Sequence, residues 1–246
     1  MNARKALIPF ILLAFIGVLA WFAVDREGRF LRVSEVHAEV VPEGILISAR
    51  IENSGAPDVL VSAENLEARE AKIIGVTEGY EAIVPGSGVA LLASDGANLL
   101  LTGVTGPLVE GREFPLELQF KNNGLIRVKA RLRQGLARYQ ARGHGTERMS
   151  VALDVAEAAD GWKVSVLSEG FTFQVPVETP VHEEGFGHAH LYLNGVKLMR
   201  MYRPDAFVGR LPRGDHVFRV TLNTNTHMEY VVGGEPVAAE ATVRAE

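Results

Sequence analysis

The sequence predicts an all-β protein, with two β-sandwich domains behind an N-terminal transmembrane helix. Three observations lead there. Short runs alternate apolar and polar residues with a period of two, as half-buried strands do. Clusters of Gly, Pro, Asn, Asp and Ser punctuate those runs at short intervals. No strand–helix–strand alternation follows the apolar N-terminal segment, which argues against a parallel α/β sheet.

Residues 1–24 are an export or anchoring segment. Arg4 and Lys5 make a positive start, and residues 6–24 are uncharged and mostly apolar. A helix of about 19 residues spans roughly 28 Å, close to the thickness of a bilayer core. Positive residues at the start place the remaining chain outside. Val18-Leu19-Ala20 matches a cleavage site only loosely and lies inside the apolar run, so an uncleaved anchor is expected. The expected location is the cell membrane, with a single-pass anchor and periplasmic domains.

Residues 30–133 read as the first β domain. Ile45, Ile47, Ala49 and Ile51 alternate with Leu46, Ser48, Arg50 and Glu52. Leu116, Leu118 and Phe120 alternate with Glu117, Gln119 and Lys121, and Ile126, Val128, Ala130 and Leu132 with Arg127, Lys129, Arg131 and Arg133. Turn signals lie between them at Asn53-Ser54-Gly55, Pro85-Gly86, Asp95-Gly96 and Asn122-Asn123-Gly124.

Three stretches here carry a family resemblance: Ile51-Glu52-Asn53-Ser54-Gly55, Val84-Pro85-Gly86-Ser87-Gly88, and Gly103-Val104-Thr105-Gly106-Pro107-Leu108-Val109-Glu110-Gly111 followed by Phe114-Pro115-Leu116-Glu117-Leu118-Gln119-Phe120. Over residues 38–132 the chain resembles the periplasmic copper chaperones of the PCu(A)C type. The resemblance implies a cupredoxin-like β fold and Cu(I) held by His and Met side chains. Where that family carries a His–x–Met pair, this chain has Asn98-Leu99-Leu100. The family's earlier His, near Ile74-Gly75, is missing, and no Met lies between Met1 and Met149. The implied ligands therefore do not carry over. A domain that keeps the scaffold without them is structural or partner-binding.

Residues 134–147 interrupt the pattern with Gly135, Gly143 and Gly145, and Arg138 and Arg142 make them basic, as in a solvated linker. A second β domain is expected over residues 148–246. Val151, Leu153 and Val155 alternate with polar or small residues, and Asp160-Gly161 turns the chain into Trp162-Lys163-Val164-Ser165-Val166. Thr172-Phe173-Gln174-Val175-Pro176-Val177 is a short strand whose Pro suits an edge. Phe218, Val220 and Leu222 form the inner face of a later strand, and residues 239–243 close the sheet. An immunoglobulin-like or cupredoxin-like sandwich fits this spacing.

The chemistry concentrates in residues 187–202. Asn194-Gly195 is the preferred pair for a two-residue type I′ turn. Uninterrupted alternation then sets Leu193 opposite Val196, Leu191 opposite Leu198, His190 opposite Met199 and His188 opposite Met201. Opposed side chains have Cβ atoms about 4.5–5.5 Å apart. Two imidazoles and two thioethers would converge on the solvent face of the ribbon, a donor set that suits Cu(I). Arg200 sits awkwardly, because the same alternation turns it inward. The polar loop Asn223-Thr224-Asn225-Thr226-His227-Met228-Glu229-Tyr230 offers His227 or Met228 to complete the site. The two are adjacent, so an extended chain would present only one, with His227 preferred. His216 shares a face with Phe218 and Val220 and reads as a core residue. His182 is peripheral or solvated, and His37 and His144 stand apart from other ligand types.

Composition removes several classes. The chain has 246 residues, no Cys and a net charge of -5. Disulfides, thiolate sites and iron–sulfur clusters are excluded. The charge gives no reason to expect nucleic acid. No nucleophile elbow, His-Glu-x-x-His or phosphate-binding glycine loop appears, so no enzyme is expected. The sequence reads as an extracytoplasmic protein that stores or delivers copper as Cu(I), with a membrane cuproenzyme such as a terminal oxidase as recipient. The alternative is a metal-free scaffold or interaction module at the membrane surface.

Overall fold

The computed structural model describes residues 30–133, 149–175, 177 and 181–246. The anchor expected over residues 1–24 and the linker over 134–147, with His144, lie outside the described residues. Among the described residues no helix is long and apolar enough to cross a membrane.

The described secondary structure is all β. The first half carries β1 (Leu31–Val41), β2 (Gly44–Asn53), β3 (Asp58–Glu64), β4 (Glu70–Ile74), β5 (Ala82–Val84), β6 (Gly88–Leu92), β7 (Asn98–Thr102), β8 (Glu113–Phe120) and β9 (Gly124–Leu132). The second half carries β10 (Ser150–Ala158), β11 (Gly161–Glu169), β12 (Thr172–Phe173), β13 (Phe186–Leu193), β14 (Val196–Met201), β15 (Asp205–Gly209), β16 (Gly214–Thr224), β17 (Val231–Val232), β18 (Glu235–Pro236) and β19 (Ala238–Ala245).

Alternation becomes burial as expected. Ile45, Ile47, Ala49 and Ile51 of β2 point into one core with Phe114, Leu116, Leu118 and Phe120 of β8 and Leu99 and Leu101 of β7. A second core gathers Ala189, Leu191 and Leu193 of β13, Phe218, Val220 and Leu222 of β16, and Trp162, Val164 and Val166 of β11. The three-stranded sheet β10-β11-β15 thus packs its apolar face on β16 and β13. The turn at Asn122-Asn123-Gly124 is tied by the buried Asp58 carboxylate, which accepts from the Asn122 and Asn123 amides at 2.9 Å each.

One sheet runs through both halves. Its path is β19-β16-β13-β14-β6-β2-β1-β9-β8-β3-β5, joined in the middle by the pair Lys197↔Leu91 between β14 and β6. The hairpin turn between β13 and β14 docks on the first half at that joint. The Ala97 amide donates to the Gly195 carbonyl at 2.8 Å, and the Thr77 amide to the Asn194 carbonyl at 3.0 Å. This junction positions the site described next.

Candidate metal centre

The hairpin closes where the sequence expects it, with Asn194 at φ 51° and Gly195 at φ 85° and Leu193 opposite Val196. Beyond Tyr192↔Lys197 the register slips. Leu191 pairs with Met199, His190 with Arg200 and Ala189 with Met201, leaving Leu198 as the extra residue of a β-bulge. The expected pairing of His190 with Met199 and of His188 with Met201 therefore does not form. Because side chains alternate with a period of two, a one-residue slip exchanges the faces of a strand. Met201 is buried in the second core and Met199 packs against it. Arg200, which the unbroken register would turn inward, is exposed. The bulge removes the burial of a guanidinium and separates the thioethers from the imidazoles.

The histidine face is not a solvent face. His188 is 0% and His190 2% exposed. On β16 Asn223 and Thr221 stand opposite them, the first-half turn 93–98 reaches over His190, and the loop 223–230 closes over His188. That loop turns at His227, which has φ 66° and is half-buried. Thr224 holds the turn, its carbonyl accepting the His227 amide at 3.0 Å and its hydroxyl the Met228 amide at 3.0 Å.

Three imidazoles meet here. Nε2 of His188 lies 2.9 Å from Nε2 of His190 and 3.3 Å from Nδ1 of His227. One nitrogen from each ring falls within 4.8 Å of the others. Three nitrogens bound to one ion at about 2.0–2.1 Å stand roughly 3.3–3.5 Å apart in tetrahedral or trigonal geometry. The 188–227 separation already matches that spacing, and the 188–190 pair must open by a few tenths of an ångström to share an ion.

The neighbouring polar groups fix how the rings are presented. Asp95 Oδ2 lies 2.8 Å from Nδ1 of His190. A carboxylate only accepts and an ammonium only donates; Asp95, the closer of the two to Nδ1, favours the proton on Nδ1 and a bare Nε2 toward the cluster. The same Oδ2 accepts from Lys197 Nζ, and from the Tyr192 hydroxyl at 3.2 Å. Lys197 Nζ also stands 3.0 Å from His190 Nδ1. Without an ion, Nε2 of His188 and Nε2 of His190 share one hydrogen bond at 2.9 Å. Nδ1 of His188 is buried with no hydrogen-bond partner among the described residues.

Burial decides the charge of the rings. Desolvation, followed by the neighbouring charges of His190, His227 and Arg200, pushes His188 down to about 3. His190 is pushed down to about 4, since burial outweighs the opposing hydrogen bond to Asp95. Burial works to raise the Asp95 carboxyl, but the His190 hydrogen bond and the Lys197 ammonium outweigh it and hold the group below the usual range. Burial lowers Lys197 against the pull of Asp95. The His188 and His190 rings are thus neutral and able to ligate at physiological pH.

Of the six candidate ligands, the structure brings together His188, His190 and His227. Met199 and Met201 lie on the core face, and Met228 is half-buried beside His227. His216 is buried in hydrogen-bond contact with the Pro212 carbonyl at 2.7 Å, and His182 is exposed. Sequence reasoning missed Asp95, Lys197 and Tyr192. Asp95-Gly96 is legible as a turn but carries no sign of its partner nearly a hundred residues away. Asn98, which stands where the resembled family has its His, braces that turn by donating to the Ala93 and Gly96 carbonyls at 3.2 and 3.0 Å.

No family model matches the chain, and no curated protein matches it. Among solved structures it is similar to the apo PCuAC domain from PmoF1, at 23% identity, TM-score 0.39, over 42% of this chain and 93% of that one. It is similar to the copper-bound PCuAC domain from PmoF2 at 16% identity, TM-score 0.38, over 42% of this chain and 92% of that one. The apo PmoF2 PCuAC domain matches at 15% identity, TM-score 0.37, over 44% of this chain and 93% of that one.

Proposed function

We propose that this protein binds copper through His188, His190 and His227, outside the cytoplasm, to store it or pass it on. The observation that carries the reading is the convergence of three ring nitrogens within 4.8 Å, two of them on fully buried rings. Imidazole ligands suit copper, zinc, iron and nickel, and among divalent ions the affinity order peaks at Cu(II). The resemblance of the first half to a copper-handling family favours copper over zinc. With the thioethers on the core face, selection for Cu(I) by sulfur falls away, and the three-imidazole set takes copper in either oxidation state. Copper is cargo in this reading, and the protein is a carrier and not an enzyme. The apolar segment 6–24 supports a tether to the outer side of a membrane, where a membrane cuproenzyme is the suited recipient.

The test is titration of the purified protein with Cu(I) under anaerobic conditions and with Cu(II), each against a competing chelator, with Zn(II) in parallel. One equivalent of copper should bind, and more tightly than zinc. Losing a ligand in H188A or H190A should cost more than the roughly 10–100-fold typical of an outer partner. The M199L/M201L variant should bind as the wild type does, at a stability cost under about 1.5 kcal/mol per swap. If no copper is taken up, the reading fails and the metal-free scaffold stands.

A further inference from the structure

The metal site belongs to the second half of the chain, yet one residue that shapes it comes from the first. We propose that Asp95 is a positioning residue for this site: it locks His190 in the tautomer that aims Nε2 at the ion, and so makes the site depend on the docking of the two halves. The inference rests on the copper reading above and deepens it.

The geometry is specific. Asp95 is held at the tip of the turn between β6 and β7, with its side chain 9% exposed. Its Oδ2 reaches Nδ1 of His190 at 2.8 Å, and the same oxygen takes Lys197 and the Tyr192 hydroxyl. All three partners lie on the β13–β14 hairpin. A carboxylate on the far nitrogen of a ligating imidazole fixes the ring's orientation and raises its basicity.

The backbone brings Asp95 there. Ala97 and Thr77 donate across the junction to the carbonyls of Gly195 and Asn194, and the Asn194 side-chain Nδ2 donates to the Glu81 carbonyl at 3.3 Å. The approach is close enough to need glycine on both sides. A Cβ on Gly96 would stand 2.9 Å from the Gly195 carbonyl oxygen, and one on Gly195 2.2 Å from the Gly75 carbonyl oxygen. Asn98 closes the turn from within. The first half therefore offers a braced turn, with its carboxylate set against the second ring nitrogen of His190.

The experiment uses the full chain, labelled with 15N at histidine. In the metal-free wild type, His190 should show a protonated Nδ1 and a bare Nε2. In D95N the amide can face the ring as donor or acceptor, so both tautomers should appear. Cu(II) affinity by chelator competition should fall about 10–100-fold, with the stoichiometry unchanged. Should D95N leave Lys197 buried without its counter-charge and fail to fold, D95N/K197M removes both charges and is read the same way. A variant that keeps the single tautomer and the wild-type affinity overturns the proposal. A wild type that takes no copper sinks the metal reading instead. The tautomer comparison, which a merely structural carboxylate would not move, still decides what Asp95 does.

Discussion

His188 and His190 are imidazoles kept neutral by burial, and that neutrality has a sign that can be measured. An unfolded histidine gains its proton near pH 6.5, whereas these rings resist until about 3 and about 4. Between those limits the unfolded chain binds more protons than the folded one, so stability falls as pH falls. The slope is about 1.4 kcal/mol per pH unit for each histidine. Asp95 acts in the same direction but lower: its depressed carboxyl contributes stability above the ordinary carboxylate range, which is lost on acidification through it. Urea denaturation of the metal-free protein should therefore show a loss of roughly 2 kcal/mol per ring between pH 6.5 and pH 5. H188Q/H190Q should flatten that slope; an unchanged slope would place the proton uptake elsewhere.

At the scale of the hairpin, the Asn194-Gly195 turn both reverses the chain and plugs into the first half. Gly195 has φ 85°, and a Cβ there would stand 2.2 Å from the Gly75 carbonyl oxygen and 2.9 Å from the Thr77 amide. Gly234 has a similar φ of 91° with nothing within 4 Å of a Cβ. Gly234→Ala should thus cost only the left-handed penalty of about 1–2 kcal/mol. Gly195→Ala should cost clearly more, at least about 2–4 kcal/mol, because backbone must also move. Equal losses in chemical denaturation would mean that the turn is not docked. The turn was legible because Asn-Gly is a local signal, as were the alternating faces of β2, β8 and β16. The bulge at Leu198 was not, since no residue type marks one, and two of the four ligands expected on the hairpin, Met199 and Met201, rested on its absence. Only Arg200 hinted at it, as a charge that the simple register would have buried. His227 was legible as a polar loop residue, but its place beside His188 depends on the turn at Thr224.

Across the whole molecule, the continuous sheet and the docked turn link the two cores, and Asp95 carries that link to the histidine cluster proposed to hold the metal. Asp95 could not be found by reading the chain, because its partners His190, Tyr192 and Lys197 are brought to it only by tertiary packing. The consequence concerns energetics at a distance. An ion that binds only the folded, docked form stabilises it by RT ln(1 + [L]/Kd), about 2.7 kcal/mol at a hundredfold excess over Kd. That stabilisation should reach amides that never touch the ion. The Thr77 and Ala97 amides, bonded at 3.0 and 2.8 Å to the Asn194 and Gly195 carbonyls, exchange only when the junction opens. Opening the junction withdraws Asp95 from His190 and weakens the site. Copper should therefore slow hydrogen exchange at Thr77 and Ala97 as well as along β13. D95N should uncouple the two, keeping whatever protection copper still gives β13 while losing it at Thr77 and Ala97. Protection confined to β13 and the loop 223–230 in the wild type would show that the halves hold and release metal independently.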